Sequence, residues 1–243
     1  MPRLLSNSAT ATLNNCVNNC VVLWRKQLTA PCLLCGIPAP EFNICAGCRA
    51  DLPWLDANHC SSCAHPLPTP GLCGRCISEP PHYDNVVAAC RYAFPLDGLI
   101  QAYKYSGRLA AGTALASLLA GRVLRRPDLI VPIPLTAQRL RERGFNQALE
   151  LARVLGLHMG VPVHAQLCVK TRDTLPQTRL PWKERRKNIR GAFVVEGGVA
   201  GCHVAVVDDV LTTGATLSEL ARNLKRAGAA TVTGYVIART VGR

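Results

Sequence analysis

The chain of 243 residues lacks a long apolar run, an export signal and a Walker A sequence. The closest candidate for a membrane helix, residues 109–121, is followed at once by Arg122 and is shorter than the ~18–20 apolar residues that such a helix needs. The N-terminus shows no basic segment followed by an apolar one, so no secretory signal is expected. Without G-x4-G-K-[ST], a P-loop nucleotide site is not expected either. These shortages predict a cytoplasmic protein with no membrane span.

Acidic residues are outnumbered, with 28 Lys and Arg against 15 Asp and Glu and a formal net charge of +13. Nearly all of the excess lies in residues 84–243, which carry a net charge of +12, whereas residues 1–83 carry +1. A positive potential of this kind attracts phosphorylated ligands or nucleic acid. We therefore expect the C-terminal part to bind an anion.

Cysteine is abundant, and eight of the 13 cysteines repeat one spacing, C-x2-C-x9-C-x2-C. The first set is Cys32, Cys35, Cys45 and Cys48, and the second is Cys60, Cys63, Cys73 and Cys76. Two C-x2-C pairs at this distance are typical of four-thiolate zinc sites, and four protein ligands indicate a structural ion. The sequence predicts one or two zinc ions, with cross-braced pairing of the cysteines and substitution by His59 or His65 left open.

The chain divides into three predicted regions. Residues 1–30 are a tail with a short helix, residues 31–83 a double zinc ribbon, and residues 84–243 an α/β domain. The predicted strands of this domain are 85–94, 128–134, 165–170, 202–210 and 231–239. The predicted helices are 95–107, 109–125, 144–160 and 214–228, and residues 171–191 are largely loop. This alternation indicates a parallel sheet covered by helices on both faces.

An apolar run ends in two adjacent acids within VAVVDDVLTTGAT, residues 204–216. If this run is a central parallel strand, Asp208 and Asp209 lie at its carboxyl end, where open α/β sheets bind ligands. The small residues that follow lead into a helix, so backbone N–H groups and the helix dipole can hold an anion there. A ribose 5-phosphate suits both features, with its phosphate in the loop and its hydroxyls on the acids.

The same segment resembles the 5-phosphoribosyl-1-pyrophosphate (PRPP) binding motif of the type I phosphoribosyltransferases. The resemblance implies that Asp208 and Asp209 hold the ribose hydroxyls and that a magnesium ion bridges the pyrophosphate and the ribose. It also implies a loop for the 5-phosphate made of Leu211, Thr212, Thr213, Gly214, Ala215 and Thr216. We call residues 211–216 the phosphate loop.

Over about residues 30–240 the chain resembles the ComF family of competence and DNA-utilisation proteins. The resemblance is carried by the cysteine pairs and by YKYSGR (103–108), VPIPL followed by RERGFNQA (131–148), and QTRLPWKERRKNIRGAF (177–193). It implies an α/β fold with a type I phosphoribosyltransferase-like parallel sheet flanked by helices and a small N-terminal zinc-ribbon module. It also implies a role in DNA uptake or in the use of DNA as a nutrient, with other DNA-uptake proteins as candidate partners.

Basic residues cluster at positions that resemble the catalytic parts of phosphoribosyltransferases. Arg139 and Arg143 occupy the place of the pyrophosphate loop, and arginine pairs well with phosphate. Lys104 either neutralises pyrophosphate or stabilises the end of its helix. Residues 170–190 hold eight Lys or Arg against two acids and resemble the mobile loop that covers the site. The candidate catalytic residues are therefore Lys104, Arg139, Arg143 and Arg185.

Two functions remain open from the sequence. The first is a PRPP-binding phosphoribosyltransferase-like protein, either an enzyme or a non-catalytic PRPP sensor, because no residue stands out as a general base for an acceptor. The second is a non-catalytic module for single-stranded nucleic acid, in which the PRPP site is vestigial or regulatory. Trp182 beside Lys183 favours the second, because an aromatic ring next to a cation can stack on a base.

Overall fold

The computed structural model describes residues 30–39, 43–106, 109–172 and 188–241. The chain divides into two compact units, Met1–Ala50 and Asp51–Arg243, so the second cysteine set belongs to the same unit as the C-terminal sheet. The predicted tail and short helix, up to residue 29, lie outside the described residues, as do Trp182 and Arg185. The separation of residues 31–83 from 84–243 stays a prediction.

The first unit is a small ribbon around cysteines. Strands β1 (Ala30–Pro31) and β2 (Pro38–Ala39) pair antiparallel, and helix α1 (Ala46–Ala50) follows them. Its described buried residues are Cys32, Ala39, Ile44 and Cys45, and Leu34 and Cys48 pack against the group formed by Cys32, Ala39 and Cys45. So few apolar side chains cannot support a fold alone, which is why bound metal is expected to supply the folding energy.

The second unit is built on a four-stranded parallel sheet. The strands are β3 (Asn85–Arg91), β8 (Thr231–Arg239), β7 (His203–Leu211) and β4 (Leu129–Pro132), in that spatial order. All neighbouring pairs are parallel. Residues Val204 to Val207 of β7 are completely buried, as expected for a central strand covered on both faces. The predicted parallel α/β sheet is confirmed.

Helices precede and follow the strands as the sequence predicted, with two additional short helices. The described helices of the second unit are α2 (Gly74–Ser78), α3 (Leu96–Ser106), α4 (Leu109–Ala120), α5 (Ala137–Arg143), α6 (Gln147–Met159) and α7 (Ala215–Arg226). The sequence predicted neither α2 nor α5. Gly144 ends α5 in the left-handed conformation, with φ of 78°, and Asn146 then caps α6. The predicted helix 144–160 therefore begins three residues later than expected.

The predicted strand 165–170 does not join the parallel sheet. Only its last three residues form a strand, β5 (Cys168–Lys170), and residues 165–167 form a turn. Strand β5 pairs antiparallel with β6 (Phe193–Val195), which the sequence did not predict. Val169 and Val194 remain 37% and 46% exposed, so this pair buries one face only. An antiparallel pair can expose one face to solvent, so it does not need helices on both faces.

Close packing of α7 on the sheet sets the direction of the phosphate loop. A Cβ atom at Gly234 of β8 would lie 2.4 Å from a methyl group of Leu217, so only glycine lets this helix approach so closely. Leu217, Leu220 and Leu224 of α7 are buried against the sheet. Among the described residues, no helix is both long and apolar enough to span a membrane.

Candidate functional site

A cavity of about 280 Å³ lies at the carboxyl ends of β4 and β7. This volume is close to the lower end of the range for ligand pockets, ~300–1,000 Å³, which suits a small ligand. The predicted site residues that line it are Lys104, Arg139, Arg143, Asp208, Asp209, Leu211, Thr212, Gly214, Ala215 and Thr216. The fold therefore brings residues from separate segments of the sequence to one cavity.

The two acids differ in their partners. The Asp209 carboxylate forms an ion pair with Lys104 Nζ at 3.0 Å. The Asp208 carboxylate accepts the backbone N–H of Asp209 at 2.9 Å. Burial, together with the neighbouring charge of Asp209, raises the pKa of Asp208 to about 7, although Lys104 and Arg143 oppose the shift. The Asp208 carboxyl therefore retains much of its proton at neutral pH before a ligand binds.

The phosphate loop turns sharply into α7. Gly214 lies at the helix N-cap with φ of 76°, a conformation that side-chain-bearing residues rarely adopt. The hydroxyl of Thr213 accepts the backbone N–H of Ala215 at 3.3 Å and is buried. Thr213 does not line the cavity, and its hydroxyl supports the turn into α7. Thr212 and Thr216 do line it, on either side of the glycine.

The end of α3 is tied to the start of α6, and this places Lys104. The Tyr103 hydroxyl donates to the carbonyl of Gln147 at 2.8 Å. The Gln147 side-chain amide donates to the carbonyl of Lys104 at 3.4 Å, and Arg143 Nη1 donates to the Gln147 side-chain oxygen at 3.1 Å. Gln147 is buried and lines the cavity. Reasoning from sequence missed Gln147, although it stands in the RERGFNQA segment.

Asn146 holds the other side of the same junction. Its side-chain oxygen accepts the N–H groups of Ala148 and Leu149, and its amide donates to the carbonyl of Ile133 at 3.1 Å. Since Ile133 follows β4, this single side chain fixes the start of α6 to the end of a strand beside the cavity. Asn146 also lines the cavity and was not among the predicted site residues.

The arginines predicted to form a pyrophosphate loop lie on a short helix instead. Arg139 and Arg143 belong to α5, whose N-cap is Thr136. Arg139 pairs with Glu142 at 3.0 Å, and both side chains are partly exposed, so the pair is weak and easily exchanged for a ligand. Lys170 and Ile189, at the two described ends of the basic stretch, also line the cavity.

Each cysteine set gathers its four sulfurs into a group that fits zinc. Within each set all four sulfur atoms lie within 4.8 Å of one another. The Cys35–Cys45 and Cys63–Cys73 sulfur distances are both 3.7 Å. A tetrahedron with Zn–S bonds of ~2.3 Å has edges of about 3.8 Å, so the spacing matches structural zinc. The sets are consecutive and not cross-braced, and neither includes His59 or His65.

Backbone N–H groups prepare one sulfur of each set for a metal. Burial raises the pKa of the Cys60 thiol, but the N–H groups of Cys63 and Cys73 outweigh it and lower the pKa to about 7. In the same way the N–H group of Cys45 is the main contribution that outweighs burial and lowers the pKa of Cys32 to about 6. Metal binding requires thiolates, so these contacts favour the metal-bound form.

Known proteins resemble the chain along most of its length. Residues 27–77 match the double zinc ribbon domain. The DNA utilization protein YhgH of Salmonella typhimurium is 37% identical, over 88% of this chain and all of that protein. Competence protein F of Haemophilus influenzae is 31% identical, over 81% of this chain and 90% of that protein. The chain belongs to the ComF family. Competence protein ComFC of Bacillus subtilis is 26% identical, over 83% of this chain and 86% of that protein.

Solved structures that resemble part of this ComF-family chain include an amidotransferase and a phosphoribosyltransferase. The glutamine PRPP amidotransferase of B. subtilis is 20% identical with a TM-score of 0.40, over 56% of this chain and 30% of that chain. The purine phosphoribosyltransferase of Pyrococcus horikoshii is 19% identical with a TM-score of 0.31, over 61% of this chain and 74% of that chain. The predicted double zinc ribbon and parallel α/β sheet are confirmed by the family match and by the strands themselves.

Proposed function

We propose that this ComF-family protein binds PRPP, or a closely related phosphorylated sugar, in the cavity beside Asp208 and Asp209 and acts in DNA uptake or in the use of DNA. One observation carries the proposal. Two acids, a glycine-hinged loop at a helix N-terminus and four basic residues line the same small cavity. This set offers acceptors for hydroxyls and donors for phosphates within one ligand's reach. We further propose that it works in the cytoplasm.

The phosphate loop and the acids would divide the sugar phosphate between them. Backbone N–H groups after Leu211 and the N-terminus of α7 hold the 5-phosphate. Asp208 and Asp209 would accept hydrogen bonds from the ribose hydroxyls, and Asp208 would release to solvent the proton that it retains at neutral pH.

Basic residues from two helices suit a pyrophosphate group. Lys104, Arg139 and Arg143 come from α3 and α5 and line the same cavity as the phosphate loop. They would orient the pyrophosphate and stabilise its negative charge. Magnesium, bound together with PRPP, would add positive charge to a departing pyrophosphate. The carboxylate and hydroxyl groups of the cavity are donors of the type that this hard cation prefers.

Calorimetric titration of the full chain with PRPP and magnesium tests the proposal. The double variant Asp208→Asn with Asp209→Asn should bind PRPP at least about 100-fold more weakly, because two charged hydrogen-bond acceptors are lost. The matched control is Asp51→Asn with Asp56→Asn, which removes the same charge from two exposed positions. Equal binding by all three proteins, or no binding by the wild type, would contradict the proposal.

Binding of single-stranded DNA is a second candidate, favoured by the eight basic residues of the stretch 170–190. Most of this stretch, including Arg185, lies outside the described residues. The triple variant Arg185→Ala, Arg186→Ala and Lys187→Ala should weaken binding of a dT20 oligonucleotide. The slope of log affinity against log salt should fall by about 2, because each phosphate that is no longer neutralised lowers it by ~0.7. If this variant loses DNA binding and the DNA-utilisation phenotype while the acid variant keeps both, the second candidate replaces the first.

A further inference from the structure

We propose that the second cysteine set supports the phosphate loop through hydrogen bonds to its backbone. Loss of zinc from this set should then make the loop more mobile and weaken ligand binding. Two arginines make the connection: Arg239 at the end of β8 and Arg75 within the second cysteine set. Both act as positioning residues, because they bind the loop's carbonyl groups from behind. The identity of the ligand rests on the proposed function. The connection between the second cysteine set and the loop, through these two arginines, does not.

Arg239 is a buried cation that joins the cysteine set to the loop. The residue is only 4% exposed. Its Nε donates to the carbonyl of Cys63 at 2.9 Å, and its Nη1 donates to the carbonyls of Leu211 at 3.1 Å and Thr212 at 2.6 Å. One planar guanidinium thus fixes a zinc-ligand residue and two loop residues at once.

The hydrogen-bond partners of Arg239 are neutral, and its positive charge lies near the Cys63 sulfur. They are backbone carbonyls and the Thr240 hydroxyl, and no carboxylate of the described residues forms an ion pair with it. The hydrogen bonds also occupy the carbonyl oxygens of Leu211 and Thr212, which would otherwise repel a phosphate.

Arg75 extends the same support by one residue. It lies in α2 between the zinc-ligand residues Cys73 and Cys76, and its guanidinium donates to the carbonyl of Thr213. Three consecutive loop carbonyls, from Leu211 to Thr213, are therefore held by two arginines. Arg75 lies within the second cysteine set, and Arg239 of β8 is hydrogen-bonded to it through the Cys63 carbonyl. Tyr83 closes the end of the loop, because its hydroxyl lies 2.9 Å from where a Cβ atom of Gly214 would be.

The orientation of these groups depends on metal. Helix α2 has five residues and is too short to persist in water without tertiary support. Small thiolate sites are folded only when zinc is bound. Without zinc, Arg75 and the Cys63 carbonyl lose their fixed positions. The Thr213 carbonyl then loses its partner, and Arg239 loses one of the contacts that orient it toward the Leu211 and Thr212 carbonyls.

Hydrogen–deuterium exchange of the full chain tests the connection without any ligand. In Cys63→Ser the amides of residues 211–217 should exchange at least about 10-fold faster than in the wild type, because opening the loop no longer breaks bonds to charged donors. Cys35→Ser is the matched control, because it removes the corresponding cysteine of the first set. It should lose zinc and leave the exchange of residues 211–217 unchanged. Equal exchange in the wild type and Cys63→Ser would overturn the proposal.

A milder variant distinguishes loss of loop support from general unfolding of Cys63→Ser. Arg75 is only partly buried, so Arg75→Gln should keep the wild-type zinc content while loop exchange rises and PRPP affinity falls about 10-fold. Arg75→Lys, which keeps the charge, should partly restore the slow exchange of the loop and the affinity for PRPP. If Arg75→Gln leaves loop exchange and PRPP affinity at wild-type values, the proposal is wrong. If the wild type fails to bind PRPP but Cys63→Ser and Arg75→Gln speed loop exchange, the proposed function fails and the connection stands.

Discussion

Lys104 Nζ lies 3.0 Å from the Asp209 carboxylate, and this ion pair links α3 to the end of β7 across the candidate site. The lysine is held by the hydrogen bonds of Tyr103 and Gln147, so its position is set by the junction between the end of α3 and the start of α6. The sequence left open whether Lys104 serves pyrophosphate or its own helix end. Its contact with an acid of the PRPP-like motif favours the first role.

Replacing Lys104 with methionine should raise the pKa of Asp208 further. Lys104 is one of the groups that lower this pKa, so its removal leaves burial and the charge of Asp209 less opposed. Carbon-13 NMR titration of the aspartate side chains measures the change directly. Lys225→Met is the control, because that lysine pairs with Asp84 instead. An unchanged or lower pKa of Asp208 in Lys104→Met would contradict the expected coupling.

Asp208→Asn should make the free protein more stable at alkaline pH. The pKa of Asp208 is about 7 in the folded protein and 3.8 when unperturbed, so the folded state holds the proton more tightly than the unfolded state. The contribution of Asp208 to the free energy of unfolding is fully present below about pH 4 and is lost as the pH rises through 7. The advantage of the asparagine variant should therefore grow to about 2–4 kcal/mol at pH 8–9.

Urea unfolding of the wild type and Asp208→Asn between pH 4 and 9 measures this difference. The same substitution is expected to weaken PRPP binding, so stability and binding should change in opposite directions. A stability difference that stays constant over the whole pH range would show that Asp208 titrates normally in the folded protein.

Gly214→Ala should destabilise the protein and weaken PRPP binding. The substitution places a side chain at φ of 76° and a Cβ atom 2.9 Å from the Tyr83 hydroxyl. Gly144→Ala is a close control, because its φ is 78° but nothing lies within 4 Å of its Cβ position. The control should lose about 1–2 kcal/mol from backbone strain alone. Gly214→Ala should lose more in thermal or urea unfolding, and equal losses would mean that Tyr83 moves aside freely.

The purified chain should contain two zinc ions, and single cysteine variants should contain about one. Each set of four sulfurs has the spacing of a tetrahedral thiolate site, and the two sets share no ligand. Mass spectrometry under native conditions or elemental analysis gives the count for the wild type, Cys35→Ser and Cys63→Ser. One ion in the wild type, or a loss of both ions from either variant, would contradict two independent sites.

Local patterns in the sequence were sufficient for much of this protein. The cysteine spacing predicted both metal sets, because a C-x2-C turn places two sulfurs together whatever the rest of the chain does. The apolar run before Asp208 predicted a central strand ending at a ligand site, and both acids line the cavity. In contrast, α5 is too short to show a clear period, and β6 has only three residues, so neither was predicted.

Interactions between distant segments decided how the site residues are placed and supported. The sequence by itself identified the candidate groups, namely the two acids, the phosphate loop and the eight cysteines, since each is a motif of residues a few positions apart. Only the tertiary structure decided that Lys104 meets Asp209, that Gln147 supports Lys104, and that Arg75 and Arg239 hold the loop from behind. These pairings depend on strand order and helix packing. They join residues that are far apart along the chain, so no local sequence pattern predicts them.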